Sequence, residues 1–94
     1  MKLNRDTALA LHPDGRMELY AGAVSLTEAQ RVVGGYVQVV ETPEGAQVIC
    51  NEEGKMRGLP ANPGATDIVK NAGLHPNDYI CGSVIVLSGK RRWS

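Results

Sequence analysis

Residues 34–66 read GGYVQVVETPEGAQVICNEEGKMRGLPANPGAT, and their punctuation decides the fold. Residues 36–42 (YVQVVET) are β-branched and strand-like, and residues 46–51 (AQVICN) return after the turn Pro43-Glu44-Gly45, making a β-hairpin. Glu52-Glu53-Gly54-Lys55 reads as a further turn followed by a short extended arm through Arg57. Leu59 precedes a proline and is therefore extended. Asn62-Pro63 then opens a helix over 63–72: Asn caps the first N–H groups, and Pro sits where its missing N–H costs nothing.

Working outward, Ser25 and Glu28 have capping-box spacing, and Leu26, Ala29, Val32 and Val33 share one face, which predicts a helix over 26–33 closed by Gly34-Gly35. Residues 7–12 and 16–20 flank Pro13-Asp14-Gly15 and read as an N-terminal hairpin, with Met17 and Leu19 turned inward. Residues 79–87 (YICGSVIVL) are almost continuously apolar, as a central strand buried on both faces requires, and Gly82 marks a bulge or a close approach by another segment. The order β-β-α-β-β-(β)-α-β defines a single α+β domain over 1–94, with a mostly antiparallel sheet of five or six strands. Its two short helices are expected on one face or end of the sheet. The expected core is Leu26, Val32, Val33, Val37, Val39, Val48, Ile49, Ile68, Val69, Val84 and Val86, with reduced Cys50 and Cys81 buried beside them.

Ten basic and ten acidic residues cancel, and aromatics are scarce, so broad binding to nucleic acid or to an anionic membrane is not expected. Two isolated cysteines do not make a disulfide framework or a zinc site, and neither an apolar leader nor a spanning segment is evident. The expectation is a cytoplasmic protein without a cofactor.

The same stretch carries a resemblance. A short helix closed by Gly34-Gly35, a strand led by Tyr36, Asn51 through Lys55, Gly58-Leu59-Pro60, Asn62, Ala65-Thr66, Asp78 and Gly82 follow one another in the order of an uncharacterised family of small domains, DUF3846. The chain is similar to it over roughly residues 24–88, with Cys81 standing where an apolar β-branched residue is usual and Ser83 where an acidic one is common. The resemblance implies a protein of phages, plasmids or bacteria, in host cytoplasm when phage-encoded, and brings no activity with it.

Asn51, Glu52, Glu53 and Lys55 combine an amide, two carboxylates and an ammonium, and read either as turn chemistry or as a polar binding site. Asn62 reads first as a cap. The N–H groups of Gly64, Ala65 and Thr66 behind it would suit an anion, with Lys55 and Arg57 adding charge. His12 and His75 precede prolines in turns, Asp78 caps a turn and Ser83 is a strand hydroxyl. Lys90-Arg91-Arg92-Trp93 reads as a solvated tail. No nucleophile elbow or phosphate loop is present, so the expected function is a non-enzymatic binding module of a mobile element, a possible homo-oligomer. It would capture a small polar or anionic, nucleotide-like ligand or a host protein through Asn51, Glu53, Lys55, Arg57, Asn62, Gly64, Ala65 and Thr66. The alternatives are a small enzyme using Glu52 or Glu53, and a nucleic-acid accessory protein using the basic tail.

Overall fold

A computed structural model of the chain describes residues 6–74 and 77–94. The strands are β1 (Ala8–Leu11), β2 (Met17–Leu19), β3 (Val37–Glu41), β4 (Ala46–Asn51) and β5 (Val84–Ser88), and the helices are α1 (Leu26–Val33) and α2 (Pro63–Val69). They form an antiparallel sheet in the order β2-β1-β5-β4-β3. β5 is its centre, and Val84, Ile85, Val86 and Leu87 are all fully buried.

Their alternation explains the layering. Val84 and Val86 pack with Leu9, Leu11, Val48 and Cys50 beneath Ala65 and Val69 of α2. Ile85 and Leu87 pack with Ala8, Ala10 and Ile49 beneath Val24 and Ala29 of α1. The helices therefore lie on opposite faces of the sheet, not together on one face or end. A strand that is apolar on both sides needs cover on both sides, and each helix supplies one.

α1 follows the sequence closely. Ser25 Oγ accepts from Glu28 N–H at 3.1 Å, and Gly34 ends the helix at φ 82° with its N–H on Gln30 C=O. Val24 and Ala29 are buried in one cluster, at the N′ and N4 positions of a hydrophobic staple. Leu26 stays exposed, because Val24 fills the core position at this end of the helix. The Glu28 carboxylate does not close the capping box. It accepts from Tyr20 Oη at 2.6 Å and from Arg31 Nε at 2.8 Å.

These contacts make stability pH-dependent. The Arg31 hydrogen bonds, then that of Tyr20, hold the Glu28 carboxyl down to about 2, while burial and then the Glu28 hydrogen bond push the Tyr20 phenol up to about 12. Glu28 therefore contributes stability above its ordinary 4.5 that is lost as pH falls toward about 2. Tyr20 contributes below its ordinary 10 and loses that contribution as pH rises toward about 12. Urea titrations across both windows should show Tyr20→Phe flattening each limb; an unchanged profile would exclude this pair as its source.

Four further expectations need correction. Met17 and Leu19 do not turn into the core: they are 51% and 82% exposed. They pair with Leu11 and Leu9 and so share α2's side of the sheet, but α2 packs over β4 and its layer stops short of β2. Val39 is likewise exposed, on the edge strand β3. The arm after Lys55 is not a sixth strand. Arg57, Gly58 and Leu59 N–H groups bond back to Glu53, Lys55 and Gly54 carbonyls, so residues 52–58 fold on themselves and leave no ladder. α2 ends at Val69, three residues early, and turns continue to Gly73.

The last strand also begins late, at Val84, because Gly82 stands at φ 85° and breaks the run. Gly82 N–H reaches Pro60 C=O at 2.7 Å, and an isolated bridge joins Ala61 to Cys81, so the expected close approach is made by the 59–61 segment. Among the described residues, no helix is long and apolar enough to cross a membrane.

Candidate functional site

Most of the polar residues in the central stretch act as fasteners. Asn51 ends β4 buried; its Nδ2 donates to Val33 C=O at 3.0 Å, and its Oδ1 accepts from Glu53 N–H at 2.8 Å. Arg57 Nη1 donates to Gly34 C=O at 2.8 Å, so the end of α1 is held from two sides. This grip leaves no room beside it: a Cβ at Gly35 would stand 2.8 Å from Arg57 Nη1 and 3.1 Å from Asn51 Nδ2.

Asn62 is fully buried. Its Nδ2 donates to Leu11 C=O and Gly82 C=O at 3.0 and 2.9 Å, and its Oδ1 accepts from Ala65 N–H at 3.0 Å. Thr66 N–H and Oγ1 both donate to Asn62 C=O, and Thr66 Oγ1 also accepts from Ile80 N–H. Two of the three N–H groups expected to receive an anion are thus engaged by the cap. Gly64 abuts the Leu11 side chain, and neither Lys55 nor Arg57 turns toward this helix start.

Lys55 instead pairs with the Asp78 carboxylate and lies 4.5 Å over the Tyr79 ring. That pair closes one wall of a cleft of about 300 Å³. Register places Gln38 and Val40 of β3 opposite Cys50 and Val48 of β4, and Gln38, Val40 and Cys50 line the cleft. Glu52, Glu53, Met56, Leu74, Tyr79 and Ile80 also line it. Cys50 is buried there, its thiol pushed upward by burial, and Cys81 is buried nearby; both thiols are free. Among the described residues, no side chain forms a salt bridge with Glu52 or Glu53. A second hollow of about 340 Å³ beside Tyr36 and Gln30 shares Glu53 and Arg57.

Of the expected site residues, the structure gathers Asn51, Glu52, Glu53 and Lys55 around the cleft. It sends Arg57 to its flank and leaves Asn62, Gly64, Ala65 and Thr66 at α2. Sequence reasoning missed Gln38, Val40, Leu74, Tyr79 and Ile80; the alternation along β3 could have paired the first two with β4, but nothing local announces the rest.

Elsewhere, His12 Nδ1 lies 2.6 Å from Ser83 Oγ, and its Nε2 3.2 Å from Glu18 Oε1. The same residue types form a nucleophile–base–carboxylate relay in hydrolases. Here they tie together one end of β2, β1 and β5, and neither cleft described above reaches them. His75 lies outside the described residues. The tail is not free in solvent: Trp93 Nε1 donates to Val24 C=O at 2.9 Å, Trp93 exchanges hydrogen bonds with Gln47, Arg91 bonds Tyr20 C=O, and Arg92 pairs with Glu41.

Among the described residues, no three His, Cys, Asp or Glu side chains group as a metal site would require. No curated protein and no solved structure matches the chain. A family model described as domain of unknown function, DUF3846, matches residues 6–93, and the chain belongs to that family.

Proposed function

We propose that this domain is a non-enzymatic binding module that holds a small polar ligand, or a polar segment of a host protein, in the cleft between β3–β4 and the Glu52–Met56 turn. The observation that carries this reading is the cleft itself, lined by Val40 and Cys50 together with Glu52, Glu53, Lys55, Asp78 and Tyr79. Apolar walls with a few placed polar groups are what small-ligand sites share.

The lining also selects charge. Three carboxylates face one ammonium, and that ammonium is neutralised by Asp78. A nucleotide-like anion, attractive from the sequence, meets net repulsion here; an amine or guanidinium meets two carboxylates free of any ion pair among the described residues. Lys55, between the Asp78 carboxylate and the Tyr79 face, shows how a cation is held at this wall.

Thermal denaturation of the whole chain with alkylamines, guanidino compounds and nucleotides tests the reading. Cationic members should raise Tm by several degrees at saturating concentration. The double variant Glu52→Gln/Glu53→Gln should lose that shift while keeping its own Tm within a few degrees. A nucleotide that stabilises the protein through these residues, or an amine shift that survives the double variant, would overturn it.

A further inference from the structure

The two edges of the sheet differ. β2 is three residues long and ends in bends at Ala21-Gly22, which makes it a poor template. β3 runs five residues in unbroken register with β4, with no proline, lysine or bulge between Gly35 and Pro43, and its one charged side chain, Glu41, stands at the far end tied to Arg92. Sheet edges normally carry one of those protections.

Hydrogen-bond alternation fixes which β3 groups are free. Tyr36 C=O accepts from Glu52 N–H, and Thr42 N–H donates to Ala46 C=O, so residues 36, 38, 40 and 42 face β4. The N–H and C=O groups of Val37, Val39 and Glu41 therefore point off the edge. Gln38 and Val40 meanwhile turn their side chains into the cleft. Edge and cleft are one continuous surface.

Resting on the reading of the cleft given above, we propose that β3 takes an extended basic peptide from a partner protein as a sixth strand. Its backbone pairs with Val37, Val39 and Glu41, and an alternate Lys or Arg side chain reaches Glu52 and Glu53. Strand addition gains affinity from main-chain bonds and specificity from pockets that take every second side chain. Charge decides the occupant. A second copy pairing through β3 about a two-fold would bring only the uncharged Gln38 and Val40 to the opposite cleft, and would leave Glu52 and Glu53 of both copies without a counter-charge.

The test uses the full chain, immobilised, against a displayed library of random ten-residue peptides. Enriched peptides should carry Lys or Arg in alternation with β-branched residues. A synthetic enriched peptide should slow amide exchange at Val37, Val39 and Glu41. Methylating its backbone nitrogens at alternate residues should weaken binding at least about ten-fold in one of the two phases, because only one set of amides faces the edge. Glu52→Gln/Glu53→Gln should weaken it by about as much, more so at low salt. Peptides that protect the cleft but not the edge amides would overturn strand addition and leave the cleft reading standing. Enrichment of acidic peptides, or no enrichment over bare support, would overturn the proposal. So would a dimer of the chain that protects the same amides.

Discussion

Replacing Asn62 with leucine is expected to destabilise the fold by about 3–5 kcal/mol, although the two side chains are nearly the same size. Asn62 is fully buried, and its amide satisfies Leu11 C=O, Gly82 C=O and Ala65 N–H together. Leucine leaves Gly82 C=O and Ala65 N–H without a partner, each costing about 1–3 kcal/mol before relaxation, and takes one of two donors from Leu11 C=O, which keeps Val84 N–H in the β1–β5 ladder. Asn62→Asp separates the two halves of the role. The carboxylate can still cap Ala65, but at neutral pH it faces two carbonyl oxygens with nothing to donate, so it should be no better than leucine. Protonation at low pH restores one donor and should recover part of the difference. Urea unfolding at neutral and acid pH measures both. A loss under about 1 kcal/mol in Asn62→Leu would show that these carbonyls find water or other donors.

What could be read from the chain was whatever local chemistry dictates. Ser25 and Gly34 bracket α1 because a cap and a left-handed stop act within a few residues of themselves. The central place of β5 follows from its continuous apolar run, which only a strand covered on both faces can bury. Periodicity says that a helix has an apolar face but not which side of a sheet receives it, so the opposed placement of α1 and α2 was not legible. The same holds for Met17 and Leu19: alternation assigns them a face, while the extent of the layer above decides whether that face is dry.

The site was only half legible, for a related reason. Asn51, Arg57 and Asn62 stand out as unusual polar residues, and each proves to satisfy backbone groups far away in sequence, such as Val33, Gly34 and Leu11. Lys55 is neutralised by Asp78, a partner that turn chemistry gives no means of choosing. Once these are assigned, Glu52 and Glu53 are the charged members of the NEEGK run left exposed at a cleft, and it is on them that the proposed ligand changes from an anion to a cation.

Gly82→Ala is expected to cost about 2–3 kcal/mol, from two sources that a second substitution can separate. Gly82 has φ 85°, where a Cβ meets its own backbone at a cost of about 1–2 kcal/mol. The added methyl would also stand 2.9 Å from Leu59 Cδ1, inside contact distance. This atom ends a flexible, half-buried side chain, so the overlap is relieved in part, at the expense of Leu59 packing. In a Leu59→Ala background the overlap vanishes and only the backbone term remains. Gly82→Ala should therefore cost about 1 kcal/mol less there, a favourable coupling that a double-mutant cycle resolves. Equal costs in both backgrounds would mean that the Leu59 side chain turns aside without losing packing, while the Gly82 N–H bond to Pro60 and the Ala61–Cys81 bridge hold the backbone of the 59–61 segment in place.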